Sequence, residues 1–202
     1  MPTEFGNWNS VYRAHYRWAT KGVWEQWFKQ VSSKKGSDVP FAMIDATHIK
    51  AHQDACRYPG DPTIQGFGKT KGGYNSKLNC VVNREGKPLS FILMPGNCHE
   101  ITTAKECLEG LAEAIVLADK GYDSDDFRKF IRASGGVAMI PPKKNRVRPI
   151  FYDKEFGRER HKVENYFCRL KRFRRIDTRY EKRADTFMGL VFLAAISDWV
   201  KN

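Results

Sequence analysis

An α/β layered fold is predicted by three features of the 202-residue chain: short apolar strands joined by a tight turn, a later alternation of strands and helices, and a closing amphipathic helix. FAMIDAT (41–47) reads as a short buried strand, and the Gly- and Lys-rich 57–75 as a long loop. In SKLNCVVN (76–83), Leu78, Cys80 and Val82 alternate with polar neighbours, the pattern of a second strand. NREGKP then turns the chain into PLSFILM (88–94), a third strand in a meander. A helix over 100–113 and the strand AIVLAD (114–119) follow. Ser124 caps the next helix, Asp125 and Asp126 suit the positive end of its dipole, and Gly135-Gly136 stops it before the strand VAMI (137–140). PPKKNRVRP is a rigid basic loop, and two helices, about 157–176 and 184–200, end the chain.

Ahead of this unit, residues 9–31 predict two short helices broken at Lys21-Gly22 and crowded with aromatics, including Tyr12, Tyr16, Trp18, Trp24 and Trp27. So much apolar surface on so short a segment calls for a covering partner. SSKKGSD (32–38) reads as a polar linker, which divides the chain into 1–31, 32–38 and 39–202.

Net charge bounds the function. At +12, with a pI near 9.5, the chain is built to meet a polyanion. Cys56, Cys80, Cys98, Cys107 and Cys168 are scattered without C-x-x-C spacing, so neither a disulfide framework nor a zinc knuckle is indicated. The apolar run 188–196 is too short to span a bilayer and the start has no signal-peptide pattern; a cytoplasmic, membrane-free protein is expected.

Three motifs are set aside. GFGKT (66–70) lacks the glycine a P-loop needs at Thr63, His48 and His52 have no nearby third and fourth zinc ligands, and His99 stands alone. Asp45 and Asp119 are different, because each ends a buried apolar strand and emerges where a sheet meets its loops. A third acid, Glu164, sits in RERHKVENYFCRLKRFRR (158–175), where an ion pair with a neighbouring cation is the simpler reading. On one continuous helix, at about 100° per residue, Arg160, Lys171 and Arg175 fall within about 40° of Glu164, while Val163, Tyr166, Leu170 and Phe173 turn to the sheet. Such a stripe matches a row of phosphates, and three converging carboxylates call for hard divalent cations between them.

FAMIDATHIKAH, VLADKGYDSDDF and RHKVENYFCRLKRFRRIDTRYEK together resemble the catalytic region of bacterial DDE transposases of the insertion-sequence four/five superfamily, from about residue 39 to the end. The resemblance implies a ribonuclease H-like mixed sheet flanked by helices, preceded by a partial helix-turn-helix segment. It implies Asp45, Asp119 and Glu164 as catalytic residues holding two Mg²⁺ ions, with Mn²⁺ a substitute. Arg160 and Lys171 match the family's Arg, three residues, Glu, six residues, Lys pattern, as phosphate-gripping residues. The family's tyrosine three before the arginine is replaced by Gly157, which leaves its role to a neighbour such as Tyr152. Arg175, His48, Lys50, Lys143 and Lys144 are further candidate DNA contacts. Implied partners are double-stranded DNA carrying the terminal inverted repeats and at least one more copy of the chain, in a nucleoid-associated setting. FGNWNSVYRAHYRWATKGVWEQWF resembles the last part of the family's DNA-binding region, so Met1 is expected to begin inside it, as in a truncated copy or the second frame of a frameshifted product. Two functions are therefore expected in competition: Mg²⁺-dependent phosphodiester hydrolysis and strand transfer, or a DNA- or partner-binding regulator that does not cut.

Overall fold

The sheet is organised around β1 (Phe41–Ala51), whose first four residues are all buried. The computed structural model describes residues 2–34, 41–57, 61–147 and 150–201. β1 pairs antiparallel with β3 (Gly73–Val82), which has β2 (Gly68–Thr70) and β4 (Pro88–Pro95) antiparallel on its other edge. On the opposite edge of β1 run the parallel strands β5 (Ile115–Leu117) and β6 (Val137–Met139). The order β4-β3-β1-β5-β6, antiparallel at one end and parallel at the other, is a ribonuclease H-like mixed sheet.

Helices cover both faces. Met43, Leu78, Cys80, Val82 and Leu117 share one apolar cluster with α6 (His161–Leu170) and α8 (Ala184–Val200). Ala42, Ile44, Val81 and Val116 share the other with α3 (Ala104–Cys107) and α4 (Asp125–Ala133). Two apolar layers explain the unbroken run at the start of β1: it is buried from both sides. The N-terminal helices α1 (Trp8–Thr20) and α2 (Val23–Lys34) pack on α8, where a Cβ on Gly189 would stand 2.8 Å from Ala19 and 3.1 Å from Trp24. Their outer face is aromatic and exposed at Phe5, Trp8, Tyr12, Tyr16 and Trp27.

Several elements depart from the sequence-based expectation. α2 runs through Ser32 to Lys34, and the remaining linker positions lie outside the described residues. The loop 57–75 contains a 3-10 turn (Pro62–Gln65) and β2. The helix expected over 100–113 shrinks to a 3-10 turn (Glu100–Thr102) and the four residues of α3, since Ile101, Thr102 and Thr103 are poor helix formers and Gly110 takes a φ of 80°. The polar side of β3 is not solvated: Asn79 is fully buried and Lys77 nearly so.

The largest correction concerns the helix expected over 157–176. It is three pieces, α5 (Lys154–Arg158), α6, and α7 (Arg174–Asp177), followed by β7 (Thr178–Arg179). Phe173 adopts an extended backbone and is exposed, whereas Ile176 is buried in the core. The cations at 169, 171, 172, 174 and 175 would crowd one continuous helix; breaking it separates them and re-aims Ile176 inward.

Candidate active site

β5 pairs with β1 only over Phe41–Met43, and β7 only at Lys50–Ala51, so that edge of β1 carries no partner strand from Ile44 to Ile49 among the described residues. Asp45 stands at the start of this gap, in mid-strand and not at the strand end expected from FAMID, because pairing with β3 carries β1 on to Ala51. The register puts Asp45 opposite Cys80, on the face covered by α6. Its Oδ1 accepts from the Ala46 backbone N–H at 2.8 Å, and its Oδ2 lies 3.3 Å from an Arg160 guanidinium nitrogen. Burial pushes the Asp45 carboxyl above its ordinary pKa range; Ala46 and Arg160 oppose this, and the charges of Asp119 and Glu100 add to it.

Asp119 lies two residues beyond β5 and caps a 3-10 turn (Lys120–Tyr122), accepting from Gly121 N–H at 2.6 Å. This is the strand-end position expected from AIVLAD, with the carboxylate fixed by local capping. Glu164 lies in the first turn of α6, its side chain 62% exposed. The nitrogen of Arg160 that meets Asp45 is 3.9 Å from Glu164 Oε1. One guanidinium, 115 positions from Asp45 in sequence, thus sits between carboxylates of two different elements, and its Nε is buried without a hydrogen-bond partner among the described residues. The i,i+4 pair of the simpler reading is present, but Arg160 is closer to Asp45.

Arg160 precedes α6 at its N-cap, Lys171 is its C-cap and Arg175 belongs to α7, so the three do not form one helical stripe. Lys171 donates to the His48 carbonyl at 3.0 Å, tying the end of α6 to β1. Arg175 pairs with Glu181 at 2.5 Å. His48 and Lys50 are exposed on β1, and His48 Nδ1 is 3.4 Å from Asn75 Oδ1. Lys143 and Lys144 are exposed on the basic loop, and the loop's Arg148 and Pro149 lie outside the described residues. A Cβ on Gly157 would stand 1.9 Å from the Tyr152 hydroxyl oxygen: the tyrosine fills the space a larger residue 157 would need.

Behind the site lies a polar network that the strand pattern did not disclose. The buried Tyr122 hydroxyl donates to Asn79 Oδ1 at 2.8 Å, and Asn79 Nδ2 donates to the Glu100 carbonyl at 2.9 Å and to Thr103 Oγ1 at 2.7 Å. Lys77 donates to the Cys98 carbonyl at 2.9 Å and pairs with Glu100 at 3.2 Å. Because Asn79 pairs with Ala46 in the sheet, the network ties the Asp119 turn to the strand position beside Asp45. A second network holds the basic loop. Buried Asp123 receives Arg128 Nε at 2.8 Å, Arg146 Nε at 2.6 Å and the Lys143 N–H at 2.8 Å. Burial alone would raise the Asp123 pKa, but the bonds from Arg146, Lys143 and Arg128 outweigh it and hold the carboxyl well below its usual range. The acids of GYDSDD followed by Arg128 are the available signal in the sequence, but they serve equally as a helix start.

The oxygen-only donor set Asp45, Asp119 and Glu164 suits a hard divalent cation, and Arg160 already supplies positive charge between two of them. Among the described residues no three acidic, histidine or cysteine side chains yet stand close enough to share one ion. Glu164 is the most exposed of the three.

The profile of the transposase DDE domain family matches residues 37–199. The chain belongs to that family. A proposed transposase of the insertion sequence element IS6501 from Brucella ovis is 37% identical over 128 residues, covering 62% of this chain and 98% of that protein. A proposed transposase of IS402 from Burkholderia cepacia is 27% identical over 139 residues, covering 59% of this chain and 64% of the relative. Among solved structures, the Mos1 transposase paired-end complex with left transposon end is similar at a TM-score of 0.34 and 11% identity, over 88% of this chain and 60% of that one. No helix among the described residues is long and apolar enough to cross a membrane.

Proposed function

We propose that the chain is a metal-dependent DNA transposase that hydrolyses phosphodiesters at the ends of its element and transfers the freed strand. The observation that carries this reading is the shared Arg160 nitrogen, which holds Asp45 and Glu164 near one point at the open edge of β1, where Asp45 also feels the charge of Asp119. Asp45, Asp119 and Glu164 are the residues that would hold Mg²⁺, or Mn²⁺ in its place. When bound, the ions supply Lewis-acid stabilisation of the attacking and leaving oxygens in an in-line displacement.

The chain's own groups do the rest. Arg160 offsets the carboxylates' repulsion, and its fork geometry suits two oxygens of a phosphate beside the scissile bond. Lys171 holds β1 and α6 together and lends its charge to the same surface. The Tyr122–Asn79 bond keeps the Asp119 turn at a fixed height against β1. His48, Lys50, Lys143, Lys144 and Arg175 steer the duplex by charge. Synapsis of two inverted repeats calls for at least a homodimer on DNA. The helices α1 and α2 ahead of the 39–202 catalytic unit contribute to DNA binding.

A second reading is favoured by the exposed aromatic face of α1 and α2: a regulator that docks through this face on a full-length relative and does not cut. Incubating the protein with a duplex bearing the element's inverted repeats separates the two. Mg²⁺-dependent nicks at the repeat ends support the transposase, whereas binding without any product over the same metal range supports the regulator.

A further inference from the structure

We infer that the β2–β3 hairpin, with Lys69, Lys71 and Tyr74 at its tip, is a stiff arm that contacts duplex DNA about six nucleotides from the scissile phosphate. The inference extends the nucleic-acid reading above to a surface that reading does not use. Three observations support it.

The first is alignment. Asp45 pairs with Cys80, and side chains alternate along β3, so Leu78, Ser76 and Tyr74 point to the same face of the sheet as Asp45. Lys69 is the cross-strand partner of Tyr74 and shares that face. Six residues separate Cys80 from Tyr74, about 20 Å at the rise of a strand. At 3.4 Å per nucleotide, that is about six nucleotides of one DNA strand.

The second is rigidity. A short hairpin without a core normally flexes, yet this one is braced by hydrogen bonds converging on Asn75. Asn75 Nδ2 donates to Thr70 Oγ1 at 2.7 Å, Thr70 Oγ1 donates to the Gly73 carbonyl at 3.1 Å, and Gly96 N–H donates to the Asn75 carbonyl at 3.2 Å. β2 presses against the chain beyond β4 so closely that a Cβ on Gly68 would stand 2.2 Å from Asn97 Oδ1. His48 approaches the same asparagine, and Lys171 bonds the His48 carbonyl, so the brace continues to the active-site helix. An arm held this way loses little entropy on binding.

The third is an unsatisfied tip. Gly73 has a φ of 99°, and a Cβ added at Gly72 or Gly73 would meet nothing within 4 Å, so the turn projects into open space. Lys69 and Lys71 are exposed, and neither forms an ion pair among the described residues. Tyr74 is 43% exposed beside them. Lysines around an aromatic on a stiff projection fit a phosphate backbone, with the ring packing against a sugar.

The test measures the affinity of the full chain for a fluorescent 30-base-pair duplex of arbitrary sequence, in EDTA, across a series of KCl concentrations. Lys69→Ala/Lys71→Ala is expected to reduce the slope of log affinity against log salt by about 1.8 and to weaken binding about tenfold at physiological salt. Lys69→Gln/Lys71→Gln, which keeps side-chain length, should do the same. Removing two charges from the opposite layer, Lys105→Ala/Lys129→Ala, should leave the slope unchanged. Hairpin variants that keep the wild-type slope at an unaltered thermal midpoint overturn the inference, as does an equal loss in the opposite-layer control. Since the assay contains no metal, a protein that binds through the hairpin but never cuts in Mg²⁺ retains this inference and loses the catalytic proposal. A wild-type protein that does not bind the duplex overturns both.

Discussion

The polar network behind β3 and the polar groups at the open edge of β1 are held in opposite ways. On the α3–α4 face, Tyr122, Asn79, Lys77, Asp123 and Arg128 are buried, and each has at least one close partner. On the α6 face, Asp45 and Glu164 share one guanidinium nitrogen, Arg160 Nε has no partner among the described residues, and Glu164 is mostly exposed. A closed network stabilises; an incomplete one is held ready for something to enter. Substitutions on the α3–α4 face should therefore cost stability first, and those on the α6 face activity first.

The largest effect is expected for Asp45→Asn and Asp119→Asn. Each should lower Mg²⁺-dependent cleavage by about three orders of magnitude or more, as read from single-turnover rates, with a thermal midpoint no lower than wild type. Burial already disfavours the Asp45 charge, so neutralising it removes a cost. A marked fall in the midpoint would blur the contrast between the faces.

Asp123→Asn reverses the pattern. It leaves the buried Arg128 without a counter-charge and frees the basic loop, and should cost about 3–5 kcal/mol in denaturant unfolding. The same carboxyl predicts an acid response. Its folded pKa is depressed, so its stabilisation is complete above the unfolded value of about 3.9 and is lost as pH falls through the folded value. Between pH 4 and 2 the wild type should lose more stability than Asp123→Asn; parallel curves would contradict the closed-network account.

Tyr122→Phe is the mildest. It removes one hydroxyl and leaves Asn79 Oδ1 buried without that donor, at a cost of about 1–3 kcal/mol. Because the bond also spaces the Asp119 turn from β1, the Mg²⁺ concentration for half-maximal cleavage should rise a few-fold, an effect that simple destabilisation would not produce.

How much of this was legible in the chain depended on the range of the cause. Asp119 could be read because a strand-end acid follows a local apolar run; Asp45 follows such a run too, although β1 continues past it, and α8 was legible from its apolar composition and the two N-terminal helices from their local periodicity. The helix break at 171–173 could not, since the apolar spacing of Val163, Tyr166, Leu170 and Phe173 continues through it; burial of Ile176 against distant elements adds to the local crowding of cations to decide it. The two-residue β7 is fixed by pairing with a strand more than a hundred positions away. Lys77 and Asn79 looked solvated because alternation alone does not reveal that the 98–103 segment covers them.

The central claim is that Glu164 is a third catalytic carboxylate whose pairing with Arg160 is secondary. Glu164→Gln keeps the size of the side chain and a neutral oxygen near Arg160 while removing the charge. Cleavage of a duplex bearing the element's inverted repeats should fall by about three orders of magnitude in Mg²⁺, with DNA affinity and thermal midpoint unchanged. Cleavage at the wild-type rate would reduce Glu164 to an ion-pair partner and contradict the account.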